Sequence, residues 1–269
     1  MSKLLVATGQ SNYGSQGVVE VIDLDNPSKT CVLQDFPNHV TFAVGGLTSS
    51  GPMVCGGYYA GYGESADCYT LRRNGQFVKI SGLTMNVPRK DASSIVTVDG
   101  KLMINGGWNN WEGYSKWSTL FGKQSTEIIN VAESTIEAGF IYGGIYEHCI
   151  VRINATTAMI LGGSRGEWRS DSQNSTYFID LETLQATRGP EMQEARSDLG
   201  CAFFEHNQQN FVIAAGGKEW RSHTNSAEIL HLDSTSLRWS KGNTTKIKLT
   251  YSLKKLFSFI FRTFIACQK

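Results

Sequence analysis

Proline is scarce, five residues in 269, and Met1-Ser2-Lys3-Leu4-Leu5-Val6-Ala7 lacks the apolar stretch of roughly 7–15 residues and the small-residue cleavage site of a secretory signal, so no such signal is expected. Short metal-ligand spacings are missing too. The five histidines (His39, His148, His206, His223, His231) stand apart from any Cys, Asp or Glu at such a spacing, and His223, in a polar loop, reads as solvated. There is no Gly-x-Ser-x-Gly, no phosphate-binding loop and no Asp-box, so no catalytic residue, metal or cofactor is expected. The six cysteines have no paired spacing and mostly sit in strand-like runs, which predicts reduced, buried thiols and a cytoplasmic location. On that footing the triplets Asn154-Ala155-Thr156, Asn174-Ser175-Thr176 and Asn243-Thr244-Thr245 read as chance. Acid is absent from one end only. Residues 241–269 carry seven Lys or Arg and no Asp or Glu, whereas residues 1–240 hold 18 basic and 24 acidic residues. The net charge of +1 hides this asymmetry, and a mildly acidic body gives no case for nucleic acid.

What is abundant is glycine, 28 residues, in a pattern. An apolar run ending in a glycine pair recurs at Gly56-Gly57, Gly106-Gly107, Gly162-Gly163 and Gly216-Gly217; the second glycines are 50, 56 and 54 residues apart (107−57, 163−107, 217−163). A period near fifty marks a repeat architecture. Within one unit, residues 83–140, a β-branched run (Ala92 to Val98) precedes the hairpin signal Asp99-Gly100. A second strand from Lys101 to Ile104 follows, then the glycine pair, a long polar and aromatic loop, a third strand (Thr126 to Val131) and a weak fourth (Ile136 to Phe140). The second strands are apolar on both faces, as strands buried between neighbouring sheets would be. Glycine weakens a strand interior, so four pairs at one phase point to close approach of a neighbour and to positive φ.

These residues resemble kelch repeats. Met85 and Arg89, then Met192 and Arg196, form a repeated Met-x-x-x-Arg pair, and Leu237-Arg238-Trp239-Ser240 is similar to the family's fourth-strand tryptophan. The resemblance implies an all-β chain folded as a kelch-type β-propeller of four-stranded antiparallel blades. It covers residues 1–241: a partial blade at 1–38, then blades at 39–82, 83–140, 141–189 and 190–241, about 4.5–5 in all and incomplete. Lys3 to Gly9, Val18 to Leu24 and Thr30 to Leu33 read as second, third and fourth strands, so a first strand is expected from the C-terminus. The family's BTB and BACK regions are not in the sequence. Residues 242–269 form a basic, hydrophobic tail unlike a kelch unit, with three readings: an abnormal terminus, a basic amphipathic helix able to touch an anionic membrane, or a closing strand within Phe257 to Ala266. A ring left open would expose an unpaired edge and lose stability.

Candidate binding residues lie in the loops after each glycine pair: Tyr59, Tyr62, Trp108, Trp111, Arg165, Trp168, Arg169, Trp220 and Arg221. The tetrapeptide Glu-Trp-Arg-Ser occurs at 167–170 and 219–222, a step matching the repeat. Equivalent loops of a propeller emerge on one face, and Trp, Tyr and Arg are the types that dominate interface hot spots. The alternative is that these tryptophans pack between blades and the Glu-Arg pairs brace their own loops. Family resemblance implies a non-catalytic protein-interaction module gripping a partner peptide, as in substrate receptors of cullin-RING ubiquitin ligases or in actin-associated kelch proteins. A carbohydrate-active or epimerase-like propeller enzyme is the other class it implies.

Overall fold

The computed structural model describes residues 3–11, 14–23, 25–26, 28, 30–109, 118–119, 126–139, 145–165, 171–219, 222–242 and 258–261. Among them there is no helix. Five antiparallel four-stranded sheets account for the long strands, and short two- and three-stranded ribbons account for the rest. Sheets two to five follow the chain: Val44–Thr48 to Phe77–Thr84, Ser93–Val96 to Thr135–Gly139, Cys149–Arg152 to Ala186–Arg188, and Gly200–His206 to Trp239–Lys241. The second sheet's last strand runs two residues past the expected unit end at 82.

Strand alternation explains how the sheets stack. In Leu102–Asn105, Leu102 and Ile104 enter one apolar core with Met53 and Cys55 of the sheet before. Met103 enters another with Ala158 and Ile160 of the sheet after. Thr157–Leu161 divides in the same way, Ala158 and Ile160 to one side, Met159 and Leu161 to the other. Each core is therefore shared by two consecutive sheets, and the doubly apolar second strands follow from a side-chain period of two.

The glycine pairs sit where one unit meets the next. A Cβ on Gly106 would fall 2.2 Å from the Ile145 carbonyl oxygen, with φ at +62°, and one on Gly107 would fall 2.8 Å from the Lys90 oxygen, with φ at +98°. The same two collisions recur at Gly56-Gly57, and the other two pairs repeat both the φ values and a backbone clash. The close approach exists because the second glycine's N–H donates across the junction: Gly57 to Arg89 O at 2.8 Å, Gly107 to Ile145 O at 2.9 Å, Gly163 to Arg196 O at 2.7 Å. The Gly45-Gly46 pair lies in a first strand; Gly143-Gly144 falls outside the described residues.

The Met-x-x-x-Arg pairs brace these junctions. Met85 and Met192 are core residues. Arg89, fully buried, donates to Gly106 O at 2.9 Å and pairs with Glu127; burial pulls its guanidinium below the ordinary value, with Glu127 opposing. Arg196 donates to Gly216 O at 2.9 Å and to Glu228 at 3.2 Å. Glu127 and Glu228 also accept backbone N–H groups, from Asn86 at 2.6 Å and from Gln193 at 2.6 Å. Trp239 is buried in a fourth strand and donates its indole N–H to Pro190 O at 2.9 Å.

The first sheet joins the two ends of the chain. Lys3–Ser11, Gly14–Asp23 and Cys31–Val32 are its consecutive strands, and Ser258–Phe261 pairs antiparallel with Lys3–Val6. Of the three readings of the tail, strand addition is the one these four residues adopt; they are not helical. The unpaired edge expected at Lys3–Val6 is covered, which removes the premise for instability there. The rest of 243–269 lies outside the described residues.

The expectation of reduced thiols is overturned. Cys55 is bonded to Cys68, Cys149 to Cys201, Cys31 is also disulfide-bonded, and no described cysteine is free. Local spacing hid both pairs because the sheet chooses the partners. Cys55 and Cys68 are directly opposite on neighbouring strands. Cys149 and Cys201 lie in the first strands of successive sheets, 52 residues apart, which is one step of the repeat. The thiol argument for a cytoplasmic location falls with this. Among the described residues, no helix is long and apolar enough to cross a membrane.

Candidate functional site

Each glycine pair turns the chain out of its second strand into a short ribbon. Tyr58–Tyr59 pairs with Gly63–Glu64, Trp108–Asn109 with Ser118–Thr119, Ser164 with Ser172, and Lys218–Glu219 with Ser222–His223. The first residue of each ribbon also pairs backwards, Tyr58 with Thr41, Trp108 with Lys90, Ser164 with Tyr146 and Lys218 with Ser197. One step beyond those four partners stand Phe42, Asp91, Glu147 and Asp198, all with φ between 55° and 62°. Left-handed backbone disfavours L residues, Asp and Asn least. Here it aims each N–H at the unit before: Asp91 to Phe42 O at 3.3 Å, Glu147 to Asp91 O at 2.9 Å, Asp198 to Glu147 O at 2.8 Å. A row of backbone hydrogen bonds thus ties four repeat units together at the roots of their ribbons.

Charge and aromatics line the same row. Lys90 Nζ lies 2.9 Å from Glu64 Oε1, 4.4 Å from the Tyr58 ring centre and 5.5 Å from that of Trp108. Trp108 meets Tyr146 edge to face at 5.2 Å. Lys218 Nζ lies 3.2 Å from Glu147 Oε2 and 2.6 Å from Asp198 Oδ2, all three side chains nearly buried. Ammonium groups held between carboxylates and rings fasten this row to the body of the sheets. His148 is buried, and burial pushes it down to about 3, so it is neutral at ordinary pH.

Sequence reasoning placed nine residues on this rim, and they fare differently. Tyr62 stands at the turn of its ribbon, 91 % exposed. Tyr59 is half-buried, its hydroxyl 3.1 Å from both Asn38 Nδ2 and the Tyr69 hydroxyl, which holds it to the body. Trp108 is only 6 % exposed and packs inside, the alternative role weighed for the tryptophans. Arg165 is half-buried beside the Ser164–Ser172 bridge, its N–H donating to Asp171 O at 3.1 Å. Trp111, Trp168, Arg169, Trp220 and Arg221 lie outside the described residues; Glu219 and Ser222, which flank the last two, pair with each other. His223 is exposed and lies opposite Lys218.

Sequence reasoning missed Lys90, Asp91, Glu147, Asp198 and Lys218. Their signal was present as repeat phase: Arg89-Lys90-Asp91 and Arg196-Ser197-Asp198 are equivalent, with Ile145-Tyr146-Glu147 between them. Glu127 and Glu228 were equally visible, each one residue into its third strand.

No protein-family model matches the chain, and no curated protein matches it at a significant level.

Proposed function

We propose that the five sheets are blades of a kelch-type β-propeller and that the chain is a non-catalytic protein-interaction module, gripping a partner segment on the face where the ribbons emerge. The observation that carries this reading is the hydrogen-bonded row Phe42–Asp91–Glu147–Asp198, which gathers the roots of four ribbons at one end of consecutive sheets. A face so fixed presents loops on a rigid base, the arrangement that binding surfaces favour. Tyr62, a large amphipathic side chain held out at a ribbon turn, has no packing reason to be there. The repeated Glu-Trp-Arg-Ser stretches add aromatic and guanidinium groups to two of the same loops. Ubiquitin-ligase adaptor and actin-associated roles are special cases of this binding that rest on the resemblance alone.

The test is capture of partners by the wild-type chain against Tyr62→Ala and the double variant Arg169→Ala/Arg221→Ala, with folding checked by thermal melting. Loss of the same partners from both variants, with melting unchanged, supports the rim. A partner set untouched by either removes it.

A further inference from the structure

We infer that Asn154 is an N-linked glycosylation site, and that the chain folds in an oxidising, glycosylating compartment. Two independent observations carry this, and neither rests on the proposed binding face.

One is the cysteines. Cys31, Cys55, Cys68, Cys149 and Cys201 are all disulfide-bonded. Such bonds form and persist where the surroundings are oxidising, and a reducing cytosol opposes them. Cys149–Cys201 joins the first strands of two sheets and begins the strand Cys149–Arg152, which leads straight into the Asn154 hairpin.

The other is the acceptor itself. Asn154-Ala155-Thr156 has the Asn-X-Thr form with a small central residue. It occupies the exposed turn between Cys149–Arg152 and Thr157–Leu161. Asn154 Oδ1 accepts from Thr156 N at 3.0 Å, Thr157 N at 2.8 Å and the Thr156 hydroxyl at 3.4 Å. The amide oxygen is thereby turned inward and coupled to the hydroxyl that defines the triplet. No described residue accepts a hydrogen bond from Nδ2, and Asn154 is exposed. Asn174 is the contrast: it is half-buried and its Nδ2 donates to Met192 O at 3.2 Å. Asn243 lies outside the described residues.

The donor is an oligosaccharide carried on a polyprenyl diphosphate. The bond between the sugar's anomeric carbon and the diphosphate oxygen breaks, its electron pair leaving with the diphosphate. A bond from that carbon to Asn154 Nδ2 forms, and the nitrogen loses one proton to the transferring enzyme. Thr157–Leu161 runs from this hairpin to Gly162-Gly163, so the glycan stands at the opposite end of the sheet from the Ser164 ribbon root and leaves that face open.

The experiment isolates the protein from cells that produce it, with thiols alkylated before lysis, and digests it with peptide N-glycosidase in heavy-oxygen water. Expected are heavy-oxygen aspartate at position 154 and a linked peptide pair containing Cys149 and Cys201. An Asn154 peptide recovered wholly unmodified, or alkylated Cys149 and Cys201, overturns the inference. In parallel, the full chain translated behind a cleavable leader with microsomes is expected to show a glycosidase-sensitive mobility shift. Thr156→Ala, which keeps the Asn154 turn, loses the position-154 component, while Thr156→Ser and Asn174→Gln retain it. A position-154 shift that survives Thr156→Ala, or is lost in Thr156→Ser, overturns it as well.

Discussion

His148 lies where two glycine pairs meet: a Cβ on Gly106 would come within 2.9 Å of its ring, and one on Gly163 within 2.7 Å of its own Cβ. Enclosure lowers its proton affinity to about 3, from an ordinary value of 6.5. Below the ordinary value the unfolded chain binds a proton that the folded chain refuses, so stability is full above about pH 6.5 and falls as the pH drops toward the folded value. By pH 5 the loss from this one group is about 2 kcal/mol. Urea titrations at pH 7 and pH 5 are expected to show it as a lower unfolding free energy at pH 5 in the wild type, and to lose most of the difference in His148→Asn; the same pH 7 to pH 5 difference in both proteins would contradict the burial. Arg196 makes a second residue-scale case. Its guanidinium and the Glu228 carboxylate are both fully buried and bonded to each other. Removing only the cation leaves a buried carboxylate, so Arg196→Met is expected to cost on the order of 3 kcal/mol, and adding Glu228→Gln to recover part of it. Denaturant midpoints of the single and double variants check both statements.

At the scale of the element, the repeat period, the hairpin at Asp99-Gly100 and the doubly buried second strands were all legible. Each is a local pattern with a local physical cause: positive φ at Gly100, and apolar residues on both faces of Leu102–Asn105. Partners set by stacking were not legible in the same way. Cys149 finds Cys201, and Lys218 finds Glu147, because successive units lie side by side, and only alignment by repeat phase would have paired them. Trp108 was read as rim because its loop follows a glycine pair at the repeat phase of the other loops, yet the ring turns in against Tyr146. Ribbons are the elements that the glycine pairs create, and a ribbon-turn glycine, Gly61, separates the two costs that a pair glycine combines. Gly61 has φ at +86° and open space within 4 Å of where a methyl would stand, whereas Gly106 has φ at +62° and a carbonyl oxygen at 2.2 Å. Gly61→Ala is therefore expected to cost only the conformational penalty, about 1 kcal/mol. Gly106→Ala adds the collision and is expected to exceed it severalfold, on the order of 3 kcal/mol or more. Comparable melting temperatures for the two variants would mean that backbone conformation, and not close packing between units, explains the pairs.

For the whole molecule the decisive contact is between its ends. Leu4 faces Ile260 and Leu5 faces Phe259 across an antiparallel ladder, so the first sheet is four-stranded only because a segment some 250 residues downstream returns to it. Joining distant segments carries a loop-closure cost that grows slowly with length, so even this separation is tolerated once the ladder forms. The body gains more than one sheet's hydrogen bonds. Leu5, Ala7, Val19 and Val21 form a single core with Val54, Tyr69 and Phe77 of the second sheet, so a frayed first sheet would loosen the next one too. A chain ending at Phe257 should then keep the cores between sheets two and five while exposing an unpaired Lys3–Val6 edge, a template for self-association. Hydrogen exchange is expected to accelerate selectively at alternate amides of Lys3–Val6, melting to begin at lower temperature, and light scattering to rise with concentration. Unchanged protection of those amides in the shortened chain would mean that Ser258–Phe261 does not hold the first sheet closed.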